Sequence, residues 1–337
     1  MTGLRVSVRR RLVPLALFAS LVSLLAPGHS AAENGSGTFI GVDGLTYFSA
    51  PLVLDGADGE LFYGPELDVA CGVGDRLEVP MKAISRLARV IERSGRKVVF
   101  SIAPGKSATM AGELGELPHG VCDQQGLAAQ NRVLDDFRDP AYLPLRRKLT
   151  GAGRQLYWKT DLHWTTVGGA EYAKALAGRL DRRLGRLQRY TYGSETRLGL
   201  LAQFDNIAVP ETLQTAHPAG KVKVRNAKGA PPWSGYPEFT FYNSWVSSPD
   251  KHTWPGRTLL LGDSFMWYAL ENLRPIFRRG EFIWFVAAND KKFLAKAIKR
   301  ADTVVIEVYQ MVTPGTPLAS AAFRKYVSRV LSKGPGK

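Results

Sequence analysis

Several things are scarce in this chain, and each shortage excludes a class of protein. Only two of its 337 residues are cysteine, Cys71 and Cys122. They are too few and too far apart for a CxxC pair or a zinc knuckle. The five histidines, at 29, 119, 163, 217 and 252, form no HExxH or His-rich cluster. Neither a metal nor a cofactor is therefore expected. Beyond residue 32 no segment is long and apolar enough to span a bilayer. No internal repeat or low-complexity run is visible, which sets aside solenoids and disordered linkers. Acidic residues are also short, 30 against 45 Lys and Arg, for a formal net charge of +15.

Such charge ordinarily suggests nucleic acid, but no nucleic-acid-binding motif is present. The start of the chain also argues against it. Arg5, Arg9, Arg10 and Arg11 precede an apolar stretch of 15 residues, Leu12–Ala26, and Ser30-Ala31-Ala32 offers small residues before a cleavage point. Residues 1–32 read as a secretory signal peptide, with an uncleaved signal anchor as the alternative. Its removal takes four arginines and no acids, leaving +11. A basic exported protein is expected to meet an anionic surface or polymer such as an acidic polysaccharide. Scattered pairs such as Arg182-Arg183, Arg278-Arg279 and Lys291-Lys292 also fit simple solvated faces. Two lone cysteines in an exported chain are candidates for one disulfide, Cys71–Cys122. Closing that loop would stabilise by about 4 kcal/mol on the chain-entropy view.

What is present is enough for a real core: 45% hydrophobic and 10% aromatic residues. Met81, Ile84, Leu87, Ala88 and Ile91 recur at helical spacing, predicting a helix over Pro80–Ser94 ended by Gly95. Val98–Ile102 reads as a buried strand. Helices are expected over Asn131–Phe137 and Tyr142–Leu149, with Pro140 between them. Tyr157–Lys159 reads as a short strand, and Gly168–Leu184 as a further helix. Leu259–Leu261, Phe282–Val286 and Thr303–Val308 read as strands. This alternation predicts an α/β fold with a mostly parallel sheet covered by helices. One domain is expected over residues 33–332, followed by a disordered tail, 333–337. Residues 188–255 differ, being rich in Pro, Gly, Asn and aromatics, and read as a loop- and β-rich insertion. Trp233, Tyr236, Phe239, Phe241, Tyr242, Trp245 and Trp254 there could stack on sugar rings or pack a small β-subdomain.

The chemistry concentrates in two short blocks. Asp161-Leu162-His163-Trp164 is followed about a hundred residues later by Gly262-Asp263-Ser264-Phe265. Together they hold a serine, a histidine and a carboxylate. A serine hydroxyl becomes a nucleophile when an imidazole takes its proton and a carboxylate holds that imidazole in the right tautomer. Thr258–Leu261 reads as a strand, Gly262 as a tight turn and Phe265–Leu270 as a helix, so Ser264 falls where a strand breaks into a helix. Backbone N–H groups at such a helix start could hold an oxyanion. Gly-Asp-Ser is also a common turn tripeptide, and a histidine beside a tryptophan is often simply packed.

The order Asp-x-His-Trp followed by Gly-Asp-Ser-Phe resembles the alginate O-acetyltransferase family, whose fold is similar to that of SGNH hydrolases. Tyr157-Trp158-Lys159-Thr160 before Asp161, and Gly168-Gly169-Ala170 after Trp164, extend the likeness. Val98–Lys106 resembles the family's strand ending in a Pro-x-Lys loop. Gly41-Val42-Asp43-Gly44, or Asp58–Tyr63, resembles its N-terminal opening. Ordinary SGNH esterases place the serine first and the histidine last; the reversed order here matches the acetyltransferase branch. The resemblance implies a three-layer SGNH-hydrolase-like fold, with Ser264 as nucleophile, His163 as base and Asp161 as its orienting carboxylate. Asp263, beside the nucleophile on a turn, reads as a turn former or as a residue that supports the site without taking part in the triad. Where the family often carries Glu-x-x-Glu-Arg, this chain reads Glu307-Val308-Tyr309-Gln310-Met311, so that charged pair is missing. Trp164, Tyr309, Asn243 and Lys106 are candidate substrate contacts. A membrane-bound O-acyltransferase as acetyl donor is implied by the resemblance alone. The expected function is acetyl transfer to hydroxyls of a cell-surface or exported polysaccharide. A carbohydrate esterase using water, and a non-catalytic glycan-binding protein on the same fold, are the alternatives.

Overall fold

A computed structural model of the chain describes residues 38–40, 46–48, 50–228, 242–285 and 291–332. Residues 1–32, read above as a signal peptide, the segment 333–337 read as a tail, the opening at 41–44 and the aromatics Trp233, Tyr236, Phe239 and Phe241 lie outside the described residues.

The centre is a six-stranded sheet. Its strands, in chain order, are β1 (Lys97–Ala103), β2 (Val224–Asn226), β3 (Tyr242–Ser247), β4 (Trp254–Gly262), β5 (Phe277–Trp284) and β6 (Thr303–Tyr309). In space they run β1-β6-β4-β5-β3-β2. The first four are parallel, and β3 and β2 continue antiparallel at one edge. A parallel sheet is covered on both faces, so its strands carry unbroken apolar runs. Leu259-Leu260-Leu261 and Val304-Val305-Ile306 are such runs, and their side chains divide between two layers. Val99, Leu260, Phe282 and Val305 join one cluster; Val98, Leu259, Leu261, Ile283, Val304 and Ile306 join the other.

The long helices, in chain order, are α1 (Pro65–Val73), α2 (Glu78–Glu92), α3 (Val121–Asp136), α4 (Thr166–Leu180), α5 (Ser264–Leu273), α6 (Lys291–Arg300) and α7 (Ala321–Ser332). On the first face lie α4 and α5, through residues such as Ala173, Leu176, Phe265 and Leu270. The second face is covered by α2, α6 and α7, with Met81, Ile84, Leu87, Ile298 and Val327. Each fully buried aliphatic of this kind contributes about 1.5–3 kcal/mol. Cys71 on α1 and Cys122 on α3 are bonded, with Cα atoms 5.1 Å apart and a sequence separation of 51.

Where the elements differ from the sequence expectation, a tertiary contact explains it. Tyr142–Leu149 is not one helix. Phe100 N–H donates to Ala141 O at 2.8 Å and Leu143 N–H to Phe100 O at 2.7 Å, so this segment lies along β1, and the helix is confined to Arg146–Thr150. Val121–Asp136 extends well upstream of the expected Asn131. The helix expected over Gly168–Leu184 breaks at Asp181, whose side chain accepts the Leu184 N–H and caps a second short helix, Arg182–Leu187. The described residues within 188–255 are loop- and β-rich, and they also supply β2 and β3 to the central sheet, besides the antiparallel pair Tyr190–Arg197 and Glu211–Pro218. Trp245 and Trp254 pack inward: their indole N–H groups donate to Arg274 O at 2.8 Å and Thr303 Oγ1 at 3.0 Å.

Candidate active site

The serine half of the site is built from regular structure. β4 ends at Gly262, Asp263 caps α5, and Ser264 is the first residue of that helix. The Asp263 carboxylate accepts the Phe265 N–H at 3.0 Å, satisfying one of the donors a helix start leaves open. The turn is tight enough to require glycine. A Cβ on Gly262 would lie 2.5 Å from Met266 Cβ. Ser264 is half-buried, whereas Asp263 and Phe265 on either side are buried. Its hydroxyl therefore sits at the carboxyl end of a central parallel strand, where open α/β sheets place their sites.

Asp161 and His163 come from a different construction. Tyr157–Lys159 is not a sheet strand; residues 157–164 form a loop closed by a bridge between Tyr157 and Trp164. Long-range partners hold it. Lys106 Nζ donates to Trp158 O and Lys159 O, each at 2.7 Å. The Glu211 carboxylate accepts the N–H groups of Lys159 at 2.9 Å and Thr160 at 2.8 Å. Thr160 O accepts Leu201 N–H at 3.0 Å. Gly168 lets α4 approach, since a Cβ there would lie 2.5 Å from Leu156 O and 2.6 Å from Trp164 Cβ.

The two halves meet. His163 Nε2 lies 2.8 Å from Ser264 Oγ, and His163 Nδ1 lies 2.8 Å from Asp161 Oδ1. Asp161 Oδ1 also accepts the His163 N–H at 3.0 Å, and Oδ2 accepts the Leu200 N–H at 3.0 Å. A carboxylate only accepts, so Nδ1 carries the proton and Nε2 is left to take one from the serine. Burial pushes the Asp161 carboxyl up. The His163 charge and the hydrogen bonds from His163 and Leu200 outweigh it and hold Asp161 below its ordinary value. The imidazole is fixed on its flat sides as well. Tyr268 stacks on it with centroids 4.3 Å apart at 14°, and Phe265 lies at 5.1 Å.

Oxyanion donors at the helix start are limited. Phe265 N–H is bound by Asp263, and Met266 N–H by Glu307 Oε2 at 3.1 Å. Ser264 N–H is the group the geometry leaves for a developing charge.

Of the four candidate substrate contacts, Lys106, Trp164 and Tyr309 are engaged within the fold. Lys106 is fully buried; its ammonium meets Glu60 at 2.8 Å and three backbone carbonyls, of Leu61, Trp158 and Lys159. All its protons are used within the chain. Burial lowers its pKa, against the pull of Glu60. Trp164 is fully buried, stacked on Tyr172 and edge-on to Phe265. The Tyr309 hydroxyl donates to Glu66, and its ring stacks on Phe265 at 4.4 Å. Asn243 lies on β3, paired with Phe282 of β5, so one strand separates it from β4. It is fully buried, and neither amide atom has a partner among the described residues. Two strand spacings put it about 10 Å across the sheet from β4.

Sequence reasoning missed Tyr268, Arg197, Glu211 and Glu307. Tyr268 had a signal, because it stands four residues after Ser264 on one helix face. Arg197, whose guanidinium lies 4.0 Å from the centre of the Trp158 ring and 4.0 Å from Asp161 Oδ2, had none. Among the described residues no group of three or more His, Cys, Asp or Glu could hold a metal ion.

Comparison with known proteins places this geometry in context. The family described as "SGNH hydrolase-like domain, acetyltransferase AlgX" matches residues 53–229, a stretch that includes Asp161 and His163 and stops short of Ser264. A protein named probable alginate O-acetylase AlgJ, from Pseudomonas putida, is 27% identical over 135 residues, covering 39% of this chain and 34% of that protein. The aligned region thus spans about a third of that relative's length. Among solved structures, the O-acetyltransferase domain of Pseudomonas putida AlgJ superposes with a TM-score of 0.50 at 18% identity, covering 85% of this chain and 100% of that domain. Bacillus cereus PatB1 with a sulfonyl adduct gives 0.55 at 15% identity, over 81% of this chain and 99% of that one. A DHHW family protein from Eubacterium siraeum gives 0.52 at 13% identity, over 84% and 95%. These likenesses establish a shared fold. Because the family match takes in more than half of the sequence, the chain belongs to the AlgX family of SGNH hydrolase-like acetyltransferase domains.

Proposed function

We propose that this member of the family is an exported O-acetyltransferase working through an acetyl-serine intermediate on Ser264. The observation that carries this is the continuous hydrogen-bonded line from Ser264 Oγ through His163 to Asp161, 2.8 Å at each step. His163 Nε2 takes the hydroxyl proton as Oγ attacks the acetyl carbonyl, with Ser264 N–H facing the oxyanion. The leaving group departs with the proton from His163. A sugar hydroxyl then gives its proton to His163, attacks the acetyl-serine and releases Ser264. The acceptor is an anionic polysaccharide of the cell surface or exterior, an inference supported by the basic charge and the leading segment over 1–32. The name of the AlgJ relative, which concerns alginate, supports the same class. A membrane-bound O-acyltransferase is the proposed source of the acetyl group. The described residues contain no helix long and apolar enough to cross a membrane.

The test is incubation with p-nitrophenyl acetate, read by intact mass. An adduct of about 42 Da, acetyl in place of hydrogen, is expected on the wild-type chain and lost in Ser264→Ala, with acylation about a thousandfold slower or worse. Acidic glycan oligomers should then collect the acetyl group. Release to water alone, with glycan present, makes the protein an esterase. An unchanged adduct in Ser264→Ala overturns the proposal.

A further inference from the structure

Beneath Ser264 lies a pair of carboxyl groups that the acylation chemistry leaves unused. Glu307, on β6, is fully buried and Asp263 nearly so. Each is anchored on one element and binds the backbone of the other. Glu307 Oε2 accepts the N–H groups of Met266 at 3.1 Å and Asp263 at 3.4 Å. In return, Asp263 Oδ2 accepts the Tyr309 N–H at 2.6 Å. Gly262 packs onto the same acid, for a Cβ there would lie 3.0 Å from Glu307 Oε2. Among the described residues neither carboxyl has a lysine or arginine ion-pair partner. Glu307 Oε1 is buried with no hydrogen-bond partner among the described residues. Two ionised carboxylates buried side by side with no cation between them repel each other; one of the two holds a proton.

We propose that Glu307 is a positioning residue: as a neutral acid it donates a hydrogen bond to the Asp263 carboxylate, and this clasp between β6 and the start of α5 fixes where Ser264 points. The proposal rests on the acylation of Ser264 put forward above. Burial, then the Asp263 charge, pushes Glu307 well above the ordinary carboxyl range. Burial also raises Asp263, to about 6, against the Tyr309 and Phe265 N–H groups that favour its charged form. The other titratable groups facing the pair are Tyr172 of α4, whose hydroxyl lies 3.4 Å from Ser101 Oγ on β1, and His163, whose charge favours ionised Asp263. Neither supplies a permanent cation. Loss of the shared proton leaves two adjacent buried carboxylates that repel, and the turn carrying Ser264 loosens.

A carboxyl raised on folding contributes stability that is complete below its unfolded value and is lost as pH rises through its folded value. Wild-type thermal stability and the acylation rate should therefore both fall on the alkaline side. Glu307→Gln keeps a donor for Asp263 and an acceptor for Met266, but it does not titrate. It should acylate within about threefold of wild type at neutral pH and lose the alkaline fall in both readouts. Glu307→Ala should be about a hundredfold slower, the scale of a small misplacement of a reacting group. Glu307→Gln retaining the wild-type alkaline fall in melting would put the proton elsewhere. Glu307→Gln as slow as Glu307→Ala would remove the neutral-donor role. Either result overturns the proposal. If Glu307→Ala fails to fold, the melting curves of wild type and Glu307→Gln still decide. If the wild-type chain forms no acetyl adduct, the acylation proposal fails, and the same melting comparison still tests the clasp.

Discussion

The two halves of the site are held by different physics. Ser264 stands at the junction of a parallel strand and a helix, and its nearest supports, Gly262, Asp263 and Phe265, adjoin it in sequence. Asp161 and His163 stand on a loop that belongs to no sheet, and partners from residues 61, 106, 199–202 and 211 keep it in place. Repetitive backbone hydrogen bonds over a packed layer hold the first half; individual charged and carbonyl contacts hold the second. A loop of this kind is exact only while each of its distant partners is present, so damage far away in sequence should reach the histidine before it reaches the serine.

Three substitutions test that contrast, beginning with the largest effect. Asp161→Asn leaves the loop backbone intact but changes what His163 Nδ1 faces. Its acylation rate should fall by about 10³–10⁴, the scale of a wrong imidazole tautomer, and its melting temperature should lie below wild type at neutral pH, where ionised Asp161 stabilises the fold. The sign is set by the depressed Asp161 pKa: the stability it contributes is present above its ordinary value and lost as pH falls through its folded one. Wild type should therefore lose more stability than Asp161→Asn on acidification, read as melting temperature against pH.

Next comes Lys106→Met. It removes the ammonium that ties Leu61, Trp158 and Lys159 together and leaves the Glu60 carboxylate buried alone. A cost of about 3–5 kcal/mol is expected from the uncompensated charge, read by denaturant unfolding. Amide hydrogen exchange should rise first over 157–164 and leave β4 and α5 protected. Equal loss of protection in both would erase the contrast.

Glu211→Gln is the mildest. The loop keeps one acceptor oxygen but loses charge-assisted bonds to Lys159 and Thr160. About 1–3 kcal/mol is expected in stability, with a modest drop in acylation. No effect on either would mean that Lys106 and Leu200 suffice to hold the loop.

Much of this was legible from residues alone. The apolar runs at 98–102, 259–261 and 303–308 announce a buried parallel sheet because such strands are covered on both faces. Gly262-Asp263-Ser264 announces a capped helix start because Asp is a good cap and Gly permits the turn. Misread elements share a cause. Tyr142–Leu149 has helical composition, yet its backbone pairs with Phe100. Tyr157–Lys159 has strand composition, yet its donors and acceptors go to Glu211, His163 and Leu61. Lys106 is a surface residue by type and lies fully buried. Long-range hydrogen bonds override local preference in each case, and a single sequence carries no periodic trace of them.

Local chemistry along the chain therefore set the layered α/β fold, the strand-to-helix turn at Ser264 and the choice of the three groups that meet there. Their meeting was set by folding in three dimensions. The 2.8 Å contact between His163 and Ser264 joins residues about a hundred positions apart, and Glu307 reaches under the serine from the neighbouring strand of the sheet. Spacing in sequence measures contour length, whereas proximity depends on how buried polar groups find partners once the sheet has packed.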